Sequence, residues 1–184
     1  MLGRFNPLYS GYFAFMNDYF VKSRIYEKIG LFLQDMLLKT RLHEHLFQLL
    51  ETRISELSVL RTQISHDSTE SGKGSAGDKH EVGIAMAQLE IEKIDGQINL
   101  LQQQHAALKR IDAQQAHTQI QTGSIFMCNE QWFYCSIAFG QLEFEQTSVF
   151  CLSPEAPLYL ALKGKKVGET ALLNGKTWKI EAVS

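Results

Sequence analysis

The chain reads as an α+β protein: a long antiparallel helical hairpin followed by a small β-rich domain with one short helix. Three observations predict this. Apolar residues recur at helical spacing over 38–64 and again over 78–116. A serine- and glycine-rich stretch, 65–77, separates the two patterns. From Gly123 the period shortens to runs of β-branched and aromatic residues punctuated by turn-forming pairs.

The first helical pattern carries Leu42, Leu46, Leu49, Ile54, Leu57, Leu60 and Ile64 on one stripe, with charged residues such as Arg41, Glu44, Arg53 and Arg61 around it. The second carries Val82, Met86, Leu89, Ile94, Ile98, Leu101, His105, Leu108 and Ile111. Neither narrow stripe can be buried alone, and the connection is short. The two helices are therefore expected to zip together as an antiparallel coiled-coil finger over 38–116, with its tip at 66–81. Gly83 and Gly96 each cost the second helix about 1 kcal/mol relative to alanine. Asp78 and Glu81 have capping-box spacing at its start.

A polar linker, 117–122, leads to a domain over 123–184. Strands are expected over Ser124–Cys128, Trp132–Ala138, Leu142–Phe144 and Ser148–Leu152, in an antiparallel sheet. Ser153-Pro154-Glu155 gives the start of a short helix, with Ser153 as cap and Pro154 in the first position, and Gly164 gives its stop. Asn174-Gly175 predicts a tight hairpin between Thr170–Leu173 and Trp178–Val183.

Residues 1–37 stand apart as an N-terminal extension of uncertain status, dense in aromatics from Phe5 to Phe32. The apolar run Leu8–Met16 is preceded only by Arg4, lacks a small-residue cleavage pattern, and is too short to span a bilayer. Met36, just before the first strong helical pattern, and Met16 are candidate internal starts.

Composition narrows the function. The chain has 184 residues and a net charge of −2. Residues 39–115 hold nine Lys/Arg against eleven Asp/Glu, and 123–184 hold five against six. Neither half offers the basic face that unaided nucleic-acid binding needs, so nucleic acid would be met only through a partner. Cys128, Cys135 and Cys151 form no C-x-x-C pair and no zinc-ligand spacing; they read as small buried hydrophobes in a reducing, cytoplasmic setting.

Two stretches carry a resemblance to a known family. Gly77-Asp78-Lys79-His80-Glu81 looks like a Gly-Asp-x-x-Glu tip. Ser153-Pro154, followed by Ala161-Leu162, Gly164-Lys165, Val167-Gly168 and Glu169, looks like a run of Ser-Pro, short helix, then Ala-Leu-x-Gly-Lys-x-Val-Gly-Asp/Glu. With the finger-plus-domain architecture, they make residues 38–184 resemble the GreA/GreB (Gre-type) transcript cleavage factors of bacteria, in a divergent, shortened branch.

The resemblance implies an FKBP-like C-terminal domain that binds RNA polymerase at the rim of its secondary channel through Ser153 and Pro154. It implies a finger that passes down the channel, and tip acids Asp78 and Glu81 that assist a Mg2+ ion shared with the polymerase active centre. The resemblance further implies that no cofactor is held tightly and that the protein is a monomeric stimulator of the polymerase's own RNA cleavage, not an enzyme. The chemistry is consistent: magnesium keeps several waters and takes one or two carboxylates. A second metal stabilises attacking and leaving oxygens together. The tip also departs from the family. Lys79 and His80 replace an uncharged pair, and Val82-Gly83-Ile84-Ala85 stands where the family continues with a further acid and an aromatic residue. Three other readings compete: a channel-occupying inhibitor without cleavage activity, an isomerase or chaperone-like module argued from fold analogy, and a coiled-coil adaptor whose Asp78 and Glu81 only cap a helix.

Overall fold

A computed structural model describes residues 8–71 and 78–184, with side chains for 37–69 and 81–184. It is α+β. Helix α1 spans Leu8–Ser71 and α2 spans Asp78–Lys109. Strands β1 (Ile125–Cys128), β2 (Gln131–Cys135), β3 (Gly140–Phe144) and β4 (Thr147–Leu152) follow, then helix α3 (Pro157–Leu162) and strands β5 (Thr170–Leu173) and β6 (Lys176–Val183).

The two long helices pack together as an antiparallel hairpin. Arg61 meets Asp95, while ten residues back along α1 Glu51 meets His105, ten residues further along α2. The seam differs from the predicted stripe. Its buried members on α1 are Leu42, Leu46, Leu50 and Leu57; Leu50 takes the place expected for Leu49, and Leu60 is exposed. On α2 the buried or half-buried seam positions Ile84, Ala87, Ile91, Ile94, Ile98, Leu101, His105 and Leu108 step by three and four, with Asp95 and Gln104 half-buried beside them. Val82, Met86 and Leu89, expected on the stripe, lie more than half exposed on another face.

Helix boundaries also differ from expectation. α1 continues past Ile64 to Ser71, through the start of the serine-rich run, and hydroxyls there bond back to the helix. Thr69 Oγ1 donates to the Ser65 carbonyl at 2.6 Å, and Ser68 Oγ to the same carbonyl at 2.9 Å. α2 stops at Lys109, not near Ala116. Arg110 and Ile111 donate to carbonyls three residues back, tightening the end, and Asp112 Oδ1 then accepts from the Gln114 amide in a side-chain turn. The short helix starts at Pro157, not Pro154. Its cap is Ala156, with no side-chain cap bond, because Ser153-Pro154 is used in a turn closed by the Ala156 amide on the Ser153 carbonyl.

The sheet is mixed, not antiparallel. Its order is β3-β4-β2-β1-β6-β5, and β2 pairs β4 in parallel, Trp132 opposite Val149 through Cys135 opposite Leu152. The hairpin β3–β4 swings over the edge so that β4 returns beside β2, an arrangement a run of turn signals does not reveal. All three two-residue hairpin turns, Asn129-Glu130, Glu145-Gln146 and Asn174-Gly175, have positive φ at both positions, the geometry that matches strand twist.

Strand alternation sends side chains to two cores. Ile125, Tyr134, Val149 and Cys151 point to one face and pack with Leu42, Leu46, Leu50 and Leu108 of the hairpin base. Phe126, Phe133, Cys135 and Ile180 point to the other and pack with Tyr159 and Leu162 of α3. The sheet is thus covered by α3 on one side and by the hairpin base on the other. The segment expected to be a polar linker is part of this packing. Ile120 is wholly buried, its amide donates to the Lys165 carbonyl, and its carbonyl accepts from the Gly164 amide. Trp132 packs on the first core and Trp178 on the second, which serves both indoles without a ligand. Among the described residues, no helix is long and apolar enough to cross a membrane.

Candidate functional site: the two ends of the helical hairpin

The free end of the hairpin carries the acids. Asp78 is the first residue of α2, and Glu81 follows one turn later with its side chain exposed. The predictions placed on 1–7 and 72–77, and on the side chains of Asp78, Lys79 and His80, lie outside the described residues. Two carboxylates at a free end do not make a metal site alone. Magnesium held by so few protein oxygens needs further ligands from a substrate or a host site. Among the described residues, no group of three or more His, Cys, Asp or Glu is arranged to hold a metal.

The other end lies a helix length away. α2 has 32 residues, so its ends are separated by about 47 Å. Here the base of α2 and the end of β4 enclose a groove of about 450 Å³, and Ser153 and Pro154 form part of its wall. Leu100, Ala107 and Ile111 line the helix side, with Arg110 as a cation; Ile137 and Glu155 line the sheet side. Gln104 spans the two by donating to the Ala138 carbonyl at 2.9 Å. The Ser136 hydroxyl also lines the groove, buried and with no hydrogen-bond partner. The groove therefore joins an apolar strip to a few polar groups.

Between these ends, ionic and aromatic contacts hold the helices. Arg61 forks onto Asp95, Nε to Oδ1 at 2.5 Å and Nη2 to Oδ2 at 3.1 Å. The hydrogen bond to Asp95, then its charge, raises the Arg61 pKa further. His105 packs against Phe47 with ring centroids 4.1 Å apart and the planes tilted by 42°, and its Nε2 lies 3.4 Å from Glu51. The sequence placed His105 on the seam, and there it stands.

A third cluster, at the junction of hairpin and sheet, was not read from the sequence. Lys39 is fully buried and its Nζ donates to the Gln115 carbonyl at 2.5 Å. Burial lowers its pKa to about 8, against the attraction of Asp112. His43 Nδ1 lies 2.8 Å from the Tyr134 hydroxyl, and His45 packs on Phe144, so both neighbours two apart on α1 meet the sheet domain. His117 bonds through Nδ1 to Gln121, and its Nε2 is buried without a partner. Burial lowers the pKa of both His43 and His117, with Lys39 lowering His117 further and Asp112 opposing in each case. The available signal was Lys39 itself, which precedes Leu42, Leu46 and Leu50 at the same helical spacing. The three thiols are buried and free, and burial pushes each up to about 12, so they are inert packing groups.

Comparison of the whole chain with protein-family models and with curated proteins finds no match in either.

Proposed function

We propose that this protein is a Gre-type regulator of transcription elongation that enters the secondary channel of bacterial RNA polymerase. The observation that carries this reading is the placement of two motifs at opposite ends of one helix. Asp78 opens α2 at the free end, while Ser153-Pro154 walls a groove at its base, about 47 Å away. A surface that grips a rim and a slim finger that reaches inward need that separation. The three-four stepping from Ile84 to Leu108 supports the coiled-coil reading of the finger. A sheet packed on one short helix, followed by Gly164-Lys165 and Val167-Gly168-Glu169, supports the FKBP-like reading of the domain.

In this reading Asp78 and Glu81 complete a Mg2+ site whose other ligands belong to the polymerase, and the protein has no catalytic site of its own. Asp78 and Glu81 would be the protein's ligands to that metal, which when bound would supply charge stabilisation for water attack on a backtracked transcript. The buried thiols suit a cytoplasmic location. Binding to purified polymerase, followed by transcript cleavage in a stalled, backtracked complex, tests the proposal.

A second reading keeps the channel and drops the chemistry. Lys79 places a cation beside the acids, and Val82-Gly83-Ile84-Ala85 supplies no further carboxylate. Such a finger occupies the channel and inhibits; it is recognised by polymerase binding that the Asp78→Ala/Glu81→Ala variant leaves unchanged, without stimulated cleavage.

A further inference from the structure

The groove at the hairpin base holds a polar atom that the fold leaves unsatisfied. Ser136 and Ile137 are each 3% exposed and form its floor, while Ala107, Ile111 and Pro154 are half-buried or exposed along its walls. The Ser136 hydroxyl has no hydrogen-bond partner. A buried hydroxyl left unpaired is costly, so a ligand that pairs it gains what the fold forgoes. The walls carry opposite charges, Arg110 on the α2 side and Glu155 on the sheet side. Among the described residues neither side chain has a hydrogen bond or an ion pair, with the other or elsewhere.

We propose that this groove is a binding site for a short zwitterionic peptide with apolar side chains. Its volume of about 450 Å³ lies in the range of small-ligand sites. The depth of Ser136 selects a slender occupant. A partner helix, about 10 Å across, rests on the walls, whereas an extended peptide lowers its own amide groups to the floor. The Ser136 hydroxyl can donate to a peptide carbonyl or accept from a peptide N–H. The ligand carboxylate pairs with the Arg110 guanidinium, its ammonium with the Glu155 carboxylate, and its apolar side chains rest on Ala107, Ile111 and Ile137. A ligand with one charge leaves one wall unpaired. Both wall charges are exposed, so they select among ligands more than they tighten binding. Ser153 and Pro154 belong to the same groove, so bound peptide and polymerase should compete; that last step rests on the polymerase reading above.

The test is titration of the full chain, followed by amide NMR, with leucyl-leucine up to about 10 mM, which covers millimolar Kd. Saturating shifts should centre on Ser136, Ile137 and Ala107. N-acetyl-leucyl-leucine lacks the cation and leucyl-leucine amide lacks the anion, and each should bind at least threefold more weakly. Arg110→Ala should erase the difference between the free peptide and its amide, and Glu155→Ala the difference between the free and acetylated peptides. Both side chains are exposed, so these variants keep the fold, which circular dichroism checks. Ser136→Ala should weaken all three peptides alike. An absence of saturating shifts at the floor, equal affinity for the three peptides, or variants that keep the wild-type preference would overturn the proposal. In parallel, saturating leucyl-leucine should lower polymerase binding at least threefold; polymerase binding that a bound peptide leaves unchanged overturns the competition. If the protein binds no polymerase, the polymerase reading fails while the titration still decides the ligand site.

Discussion

Tyr134, fully buried on the central strand β2, holds its hydroxyl 2.8 Å from Nδ1 of His43 on α1. This hydrogen bond ties the helical hairpin to the middle of the sheet. Burial lowers the pKa of the imidazole and raises that of the phenol, so a neutral ring meets a protonated hydroxyl, with the ring tautomer setting which of the two donates. Tyr134→Phe removes the hydroxyl without changing shape, and should destabilise the fold by about 1 kcal/mol in urea titration. The circular dichroism spectrum should stay that of the wild type. An unchanged midpoint would show that water replaces the phenol at His43.

Stability should fall with acid. Burial lowers the pKa of His43 and His117 in the folded state, from an ordinary value of 6.5. The unfolded chain then binds more protons below that value, and the contribution of the neutral rings is complete above pH 6.5 and lost as pH falls through the folded values. The urea midpoint should decline from pH 7 to pH 5. A His43→Gln/His117→Gln variant should show a shallower decline over the same range.

Lys39 is a buried cation with a hydrogen bond to one carbonyl, that of Gln115. Its lowered pKa, about 8, shows that the junction disfavours the charge. Lys39→Met keeps the length of the side chain, leaves the Gln115 carbonyl to water, and should stabilise the protein by about 1–3 kcal/mol. The measurement is the shift in urea midpoint at pH 7. A loss of stability would mean that the attraction of Asp112 outweighs desolvation.

Gly123 turns the chain into β1 at φ +89°, where a Cβ would stand 3.1 Å from Ile111 Cγ2 and 3.3 Å from His117 Nε2. Gly123→Ala is strained both in its backbone and in its contacts. It should cost about 1–3 kcal/mol, read as a lower melting temperature, with the loss concentrated at the hairpin–sheet junction.

Much of the architecture was legible in the sequence because it rests on local pattern. Three-four spacing announces the helices, positive-φ pairs such as Asn174-Gly175 announce the turns, and a change to period two announces the strands. What the sequence hid depends on distant partners. The parallel pairing of β2 with β4 is a matter of topology, not of any residue in either strand. Whether Leu49 or Leu50 enters the core, and whether Met86 faces α1 or water, differ by a rotation of 100° or less about the helix, which periodicity over mixed residues does not fix. The continuation of α1 through Ser65–Ser71 runs against a composition that reads as a loop. At the candidate site, Ser153 and Pro154 were chosen from a motif. The groove they wall, with Ala107, Arg110 and Ser136, requires the base of α2 to be folded beside the sheet.

The central claim is tested most directly by transcript cleavage in a backtracked bacterial polymerase complex, with wild-type protein and the Asp78→Ala/Glu81→Ala variant at saturating concentration. The tip acids are expected to carry the effect: wild-type protein should accelerate cleavage, and the variant should lose at least tenfold of that acceleration while still binding the polymerase. Wild-type protein that does not bind, or a variant that cleaves as well as wild type, would contradict it.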